Sequence, residues 1–296
     1  MSTYVNLPLK TCFSAIRGND NMTFAIEPKQ IGIIAAKEFR ERIRNRWVLA
    51  VTIVFTAFAL VIAYFGSAQQ GAVGFSSIEV TIASLVSLVI YLIPLIALIL
   101  GFDAIVGERE RGSLDLLLSM PITRFELLTG KFLGLSAALA SSIVIGFGMV
   151  GLLLGFKLPP AAWYHYAGFM LSSVLLGMAF LSMAVMVSVF AADRTRASGA
   201  AIALWFFFVL VYDLLLLGAL VVSGGAVATD AFPYLLLLNP ADVFRILNIF
   251  GLEEVRTLYG LTTVFPERLA SPGLLGAVML AWITLPLGIA NWRFRQ

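Results

Sequence analysis

The sequence is short of the residues that most protein chemistry relies on. It holds one cysteine, Cys12, and one histidine, His165, which excludes a disulfide framework and a Cys/His zinc site, since each needs several such side chains. Charge is scarce as well. Only 12% of residues are Asp, Glu, Lys or Arg, against about 25% in an average soluble domain. No G-x-x-x-x-G-K-[ST] occurs, so the chain lacks the usual phosphate loop for hydrolysing ATP. H-E-x-x-H and G-x-S-x-G are also missing. His165 stands beside Trp163, Tyr164 and Tyr166, a grouping that reads as an aromatic belt at a membrane boundary, not as a catalytic base.

Apolar residues are abundant instead. Hydrophobic residues make up 60% of the 296, and the mean hydropathy is +0.96. A soluble fold needs more polar surface than this, so the chain is expected to be an all-α polytopic membrane protein. About 20 residues are needed to cross a ~30 Å hydrocarbon layer, and six runs qualify: Trp47–Gly66, Ile82–Val106, Phe132–Phe156, Tyr164–Ala191, Ser198–Val222 and Leu274–Asn291. Of the 20 Lys and Arg, 8 precede the first run, 4 lie between the second and third, 2 between the fourth and fifth, and 2 follow the sixth. The positive-inside rule makes that side, and both termini, cytosolic. The net charge of +3 is small; membrane lipid is the expected surrounding and nucleic acid is not an expected partner.

Residues 1–30 are mixed and polar and show no signal-peptide core, so they are expected to form a disordered cytosolic tail that is not cleaved. From Ile31 to Trp47 the pattern turns helical. Ala36, Phe39, Ile43 and Trp47 share one face, Lys37, Arg40, Glu41 and Arg44 the other, with Glu38–Arg42 and Lys37–Glu41 as i,i+4 pairs. A basic amphipathic helix of this kind suits the headgroup plane.

The most informative stretch is Gly107–Lys131, GERERGSLDLLLSMPITRFELLTGK. It is charged, capped and set between two long apolar runs. Gly112 breaks the chain, Ser113 can cap a short helix over Leu114–Ser119, and Leu114, Leu117 and Leu118 fall on one face. Thr123 and Glu126 form a capping box that starts a new helix. A second charged loop, residues 192–197, carries Asp193, Arg194 and Arg196. The loop 223–273 is about 50 residues long and is expected outside the membrane as a partner surface. Within it, Asn239, Pro240 and Asp242 read as a helix start, with Arg245 placed to pair with Asp242, and Glu253 and Glu254 follow.

Acidic residues inside apolar runs are functional candidates. Asp103, four residues from the charged loop, is expected to pair with Arg109 or Arg194. Asp213 lies near the middle of the fifth run without an evident basic partner; it can face a polar cavity, bind a proton, or be buried and protonated. Gly130-x-x-x-Gly134 and Gly151-x-x-x-Gly155 suit close helix packing within one subunit or between two. Met170, Met178, Met183 and Met186 spread around the fourth run and read as packing residues, not a metal conduit. No metal ligand set is expected.

The run Gly107–Asp115, followed by Leu118, Pro121, Arg124 and Gly130-Lys131, resembles the signature loop of export-type (type 2) ABC transporter permeases. The resemblance implies that the loop 107–125 is a coupling helix docked on a separate ATPase subunit, through Glu108, Arg109, Glu110, Arg111, Leu114, Asp115 and Leu118, with Asp193, Arg194 and Arg196 completing the platform. It makes the helix before the first span an elbow helix. ATP and Mg would belong to the ATPase, with no cofactor and no catalysis on this chain. IIAAKEFRERIRNRW, ADRTRASG and LLLNPADVFR extend the resemblance, across about residues 31–296, to permeases that serve nitrous oxide reductase maturation. That likeness implies a homodimer in a bacterial inner membrane, two ATPase subunits, a periplasmic β-helical protein and a copper-chaperone lipoprotein, working in copper-site assembly for denitrification. The alternative left open by the residues is an ion-coupled secondary carrier using Asp213.

Overall fold

The computed structural model describes residues 27–44, 46–65, 78–155, 160–222, 232–249 and 271–295. Every regular element among them is helical. We number these α1 (Pro28–Ile43), α2 (Arg46–Phe65), α3 (Ile78–Gly101), α4 (Val106–Glu110), α5 (Ser113–Leu118), α6 (Arg124–Gly155), α7 (Pro160–Phe190), α8 (Arg194–Val222), α9 (Phe232–Leu237), α10 (Pro240–Ile249) and α11 (Pro272–Arg295). Five segments, led by α3, α6, α7, α8 and α11, are long and apolar enough to cross a membrane; α2 is a sixth apolar helix of 20 residues, with residues 52–65 its described apolar part. α7 forms the centre, packed against α3, α6 and α11. Its buried Phe169, Leu176, Phe180 and Val185 join Ile93, Leu139 and Phe147 in one continuous core.

Glycines set two of these packings. A Cβ on Gly130 would lie 2.7 Å from the Ile34 Cβ, and one on Gly134 would lie 2.6 Å from the Ala35 carbonyl oxygen. The Gly130-x-x-x-Gly134 pair is therefore the seat of α1 on the first turns of α6, an intramolecular use of the motif. This corrects the expected face of α1. Ile31, Ile34, Ala35 and Glu38 turn inward, whereas Ala36 and Ile43 are exposed. The i,i+4 pairs Glu38–Arg42 and Lys37–Glu41 form as expected, at 3.0 and 3.6 Å.

The segment 223–273 also departs from expectation. Its described helices do not stand clear of the spans: α10 packs on α3, α7 and α11, and Ala241, Val243 and Phe244 are in the core. The turn between α9 and α10 reaches Phe208, 14 residues along α8 from Arg194, which is about 21 Å at ~1.5 Å per residue. Non-helical backbone at that depth must find partners inside the protein. It does: Trp282 Nε1 donates to the Leu237 carbonyl (3.3 Å) and Tyr212 Oη to that of Leu235 (2.6 Å). Asn239 caps α10 as its sequence suggests, accepting from the Ala241 amide at 3.0 Å, and its Nδ2 donates to the Phe208 carbonyl at 2.9 Å. That carbonyl belongs to a π-helical turn, Phe207–Val211, whose i→i+5 hydrogen bonding interrupts the ordinary ladder of α8.

Overpacking the α1 seat should be costly. Gly134→Leu is expected to destabilise the solubilised protein by about 1–3 kcal/mol, seen as a lower thermal midpoint, while Gly148→Leu, with open space around its Cβ position, should leave the midpoint within error.

Candidate functional site

The charged residues of the loop 107–125 gather at one end of the bundle, where α3 ends, α6 and α8 begin and α11 finishes. The chain leaves α3 through residues 102–105, whose freed amides need acceptors. Ser188 Oγ of α7 accepts from the last of them, Ile105 (2.9 Å), and from Val106 at the start of α4 (3.0 Å). Gly112 then turns the chain at φ 71°, a left-handed conformation that favours glycine, between α4 and α5. Ser113 does not cap α5; its hydroxyl donates back to the Glu108 carboxylate and carbonyl, holding α4 and α5 together. Thr123 and Glu126 do form the reciprocal capping box: the Thr123 amide donates to Glu126 Oε2 (2.7 Å) and the Glu126 amide to Thr123 Oγ1 (3.2 Å). The same carboxylate accepts from the Glu27 amide at 2.6 Å, so it also fixes the start of α1.

Lys131 is the centre of the site. It is 4% exposed and lies 3.0 Å from both Glu38 of α1 and Glu108 of α4. Arg42 completes the Glu38 side, and Arg111 approaches Glu108 at 3.8 Å. Burial alone would raise the Glu38 carboxyl, but the Lys131 ammonium and the Arg42 guanidinium outweigh it and hold the group below the usual carboxylate range. One cation thus joins α1, α4 and α6.

A second set of contacts joins the loop to α7 and α8. Arg109 donates to the carbonyls of Ala191 (2.9 Å) and Val189 (3.3 Å), Glu110 accepts from the Arg194 amide (2.8 Å), and Arg194 pairs with Asp103 at 2.7 Å. Of the two partners anticipated for Asp103, the structure selects Arg194. Gly107 packs directly on the Asp103 carboxylate, leaving no room for a Cβ. The second loop is shorter than expected: Arg194 and Arg196 already belong to the first turn of α8, which Asp193 caps by accepting from the Arg196 amide at 2.8 Å.

The leucines are arranged differently from the sequence reading. Leu114 is buried and Leu117 and Leu118 pack against the core, so these three hold α5 to the bundle. The outward residues are Asp115, Leu116 (65% exposed) and Met120 (51% exposed). Beside them lies a cleft of about 540 Å³ lined by Arg109, Asp115, Leu118, Arg124, Arg293 and Phe294, among others. Arg124 closes its far side, donating to the Phe294 carbonyl and lying 5.6 Å from the centre of its ring.

The residues expected on an outward partner surface fall elsewhere. Asn239 and Asp242 are both 1% exposed, in the core. Arg245 bridges Asp242 to Asp213, the latter at 3.0 Å, so Asp213 does have a basic partner, brought from 32 residues away by α10. Glu253 and Glu254 lie outside the described residues. Sequence reasoning missed Glu38, Ser188, Leu116 and Met120. Only Glu38 carried a signal, an acidic residue on the inward-turning side of α1 at i,i+4 from Arg42.

Removing one member of a buried ionic cluster leaves the others uncompensated, at about 3–5 kcal/mol. Lys131→Met should therefore destabilise by that amount, and Lys131→Met with Glu38→Leu and Glu108→Leu should recover most of it; thermal unfolding of the three forms checks this. Glu38 has its folded pKa below its unfolded one, so its contribution is full above the ordinary carboxylate pKa of about 4.3 and fades as pH falls through the lower folded value. The protection factors of the α1 amides, taken against the intrinsic exchange rate at each pH, should accordingly be steady from pH 8 to 5 and fall only below.

Comparison with known proteins agrees with this architecture. Residues 33–296 match the model of a family described as ABC-2 family transporter protein. The chain is 42% identical over 272 residues to the probable ABC transporter permease protein NosY of Stutzerimonas stutzeri, covering 90% of this chain and 98% of the relative. It is also 42% identical over 267 residues to the protein of the same name from Pseudomonas aeruginosa, covering 89% and 97%. This chain belongs to the ABC-2 family of transporter proteins, as a permease that passes the inner membrane several times.

Proposed function

We propose that this chain is the membrane subunit of an ABC transporter in which a separate ATPase docks on the α4–α5 platform and moves the bundle through it. The observation that carries the reading is the double anchoring of α4: Glu108 ties it to α1 and α6 through Lys131, and Arg109 and Glu110 tie it to the α7–α8 junction. A push on α5 would reach four helices without a loose joint. The exposed Asp115, Leu116 and Met120 offer one charge and two apolar anchors to the ATPase, and Arg196, also exposed, extends that face. Glu108 and Arg109 act within the chain and carry the load inward. ATP and Mg belong to the ATPase.

The topology we propose has six spans, α2 being the first, with α1 as an elbow helix and both termini cytosolic. Among the described residues, every Lys and Arg except Arg245 sits in or just after α1, at the start of α2, between the end of α3 and the second turn of α6, at the start of α8 or at the end of α11. That end then faces the cytosol by the positive-inside rule. We further propose a homodimer with two ATPase subunits, serving copper-site assembly of nitrous oxide reductase together with a periplasmic β-helical protein and a copper-chaperone lipoprotein. The support is the 42% identity to proteins named NosY and the motif resemblance. The carrier alternative took Asp213 as its ion site; Asp213 pairs with Arg245 at 3.0 Å, and the family match lends that alternative no support.

Leu116→Asp should lower ATPase recovery in a detergent pull-down with the neighbouring ATPase at least tenfold while leaving the thermal midpoint of the membrane subunit unchanged. Undiminished recovery would remove α5 as the docking element. Glu108→Lys should lower the thermal midpoint as well as recovery, because its partners are internal.

A further inference from the structure

The cleft beside α5 carries a charge that the bundle does not answer. Three guanidinium groups, Arg109, Arg124 and Arg293, line it against one carboxylate, Asp115, and all four residues are exposed. Arg109 and Arg124 donate to backbone carbonyls. Among the described residues no carboxylate pairs with any of the three cations. Each guanidinium has five N–H donors, so most of them remain unused. A cleft of about 540 Å³ lined in this way suits an anion whose oxygens can accept from several guanidinium groups at once, as a phosphate does.

The same cleft lies at the edge of the membrane. Phe190, the last residue of the α7 span, lines it and is exposed. Trp292, a residue type that marks membrane–water boundaries, is exposed one position before Arg293. The two sides of α11 then give the cleft a direction. Ile283, Pro286, Ala290 and Phe294 are buried on the inward side. On the other side Leu285, Ile289 and Arg293 follow at four-residue intervals, and all three are exposed. An apolar track from within the span therefore ends on a cation at the cleft. A soluble subunit would meet the guanidinium groups without reaching the track behind them, and a free anion would not use the track at all. A phospholipid uses both, and basic pockets between membrane helices bind anionic headgroups. A zwitterionic headgroup would bring its own ammonium against three cations, so a net negative one is selected.

We propose that this cleft seats the headgroup of one anionic glycerophospholipid from the leaflet at that end of the bundle, with an acyl chain along Ile289 and Leu285. The phosphate joins Arg109 of α4, Arg124 of α6 and Arg293 of α11, and so fastens the end of α11 to the segment that carries α5. The inference needs only that α11 crosses the membrane; it stands apart from the ATPase reading.

The test is native mass spectrometry of the delipidated full-length chain, titrated with phosphatidylglycerol and, separately, with phosphatidylcholine. One phosphatidylglycerol should bind about tenfold more tightly than phosphatidylcholine, and Arg293→Gln should lose about that factor while keeping its thermal midpoint. Lys29→Gln, which removes an exposed cation from α1, should lose nothing. Ile289→Gln should weaken phosphatidylglycerol and leave inorganic phosphate unaffected, which separates a lipid from a free anion. Equal affinity for the two lipids, or undiminished binding in Arg293→Gln, overturns the proposal. So does inorganic phosphate competing at the same concentration as the lipid, which makes the cleft a free-anion site. If the ATPase subunit displaces the lipid and its own recovery falls in Arg293→Gln, the cleft belongs to the docking face and the lipid assignment is wrong.

Discussion

A single buried ammonium holds the working end of this permease together. Lys131 projects from the second turn of α6, where burying an isolated cation would be prohibitive; Glu38 and Glu108 make it tolerable, and they come from two other elements. Because each carboxylate is itself partnered, by Arg42 and by Ser113 and Arg111, none of the three helices can shift without exposing an uncompensated charge. A buried ionic cluster is weak evidence for stability. It is stronger evidence for a fixed geometry, since three elements are held by one cation.

The rest of that end follows from backbone accounting. Interrupting the helices at 102–105 and at 191–193 frees amides and carbonyls that side chains then meet: Ser188 accepts from the Ile105 amide, Arg109 donates to the Ala191 carbonyl and Glu110 accepts from the Arg194 amide. The same necessity shapes the opposite half of the bundle. The turn between α9 and α10 sits at membrane depth, and Tyr212, Trp282 and Asn239 supply what water would supply outside.

Much of this was legible locally. The capping box at Thr123, the cap at Asn239, the i,i+4 pairs of α1 and the pairing of Asp242 with Arg245 are all contacts within four residues, where helical geometry alone decides who meets whom. The inward and outward faces of α1 and α5 were not legible. Periodicity says that Leu114, Leu117 and Leu118 share a face, but it does not say whether that face meets the bundle or a partner. Glu38 looks like one more solvated acid until Lys131 is brought to it from 93 residues away.

By itself the sequence determined the class of the molecule: an all-helical membrane protein, 60% hydrophobic and only 12% charged. Those are properties of composition and spacing, and they survive any packing. Only the tertiary structure decided that the segment after α8 returns into the core, that Asp213 has a cation beside it, and that Glu108 looks inward while Leu116 looks out. Each of those depends on which elements lie side by side, and helices that are apolar all round carry no periodic mark of their neighbours.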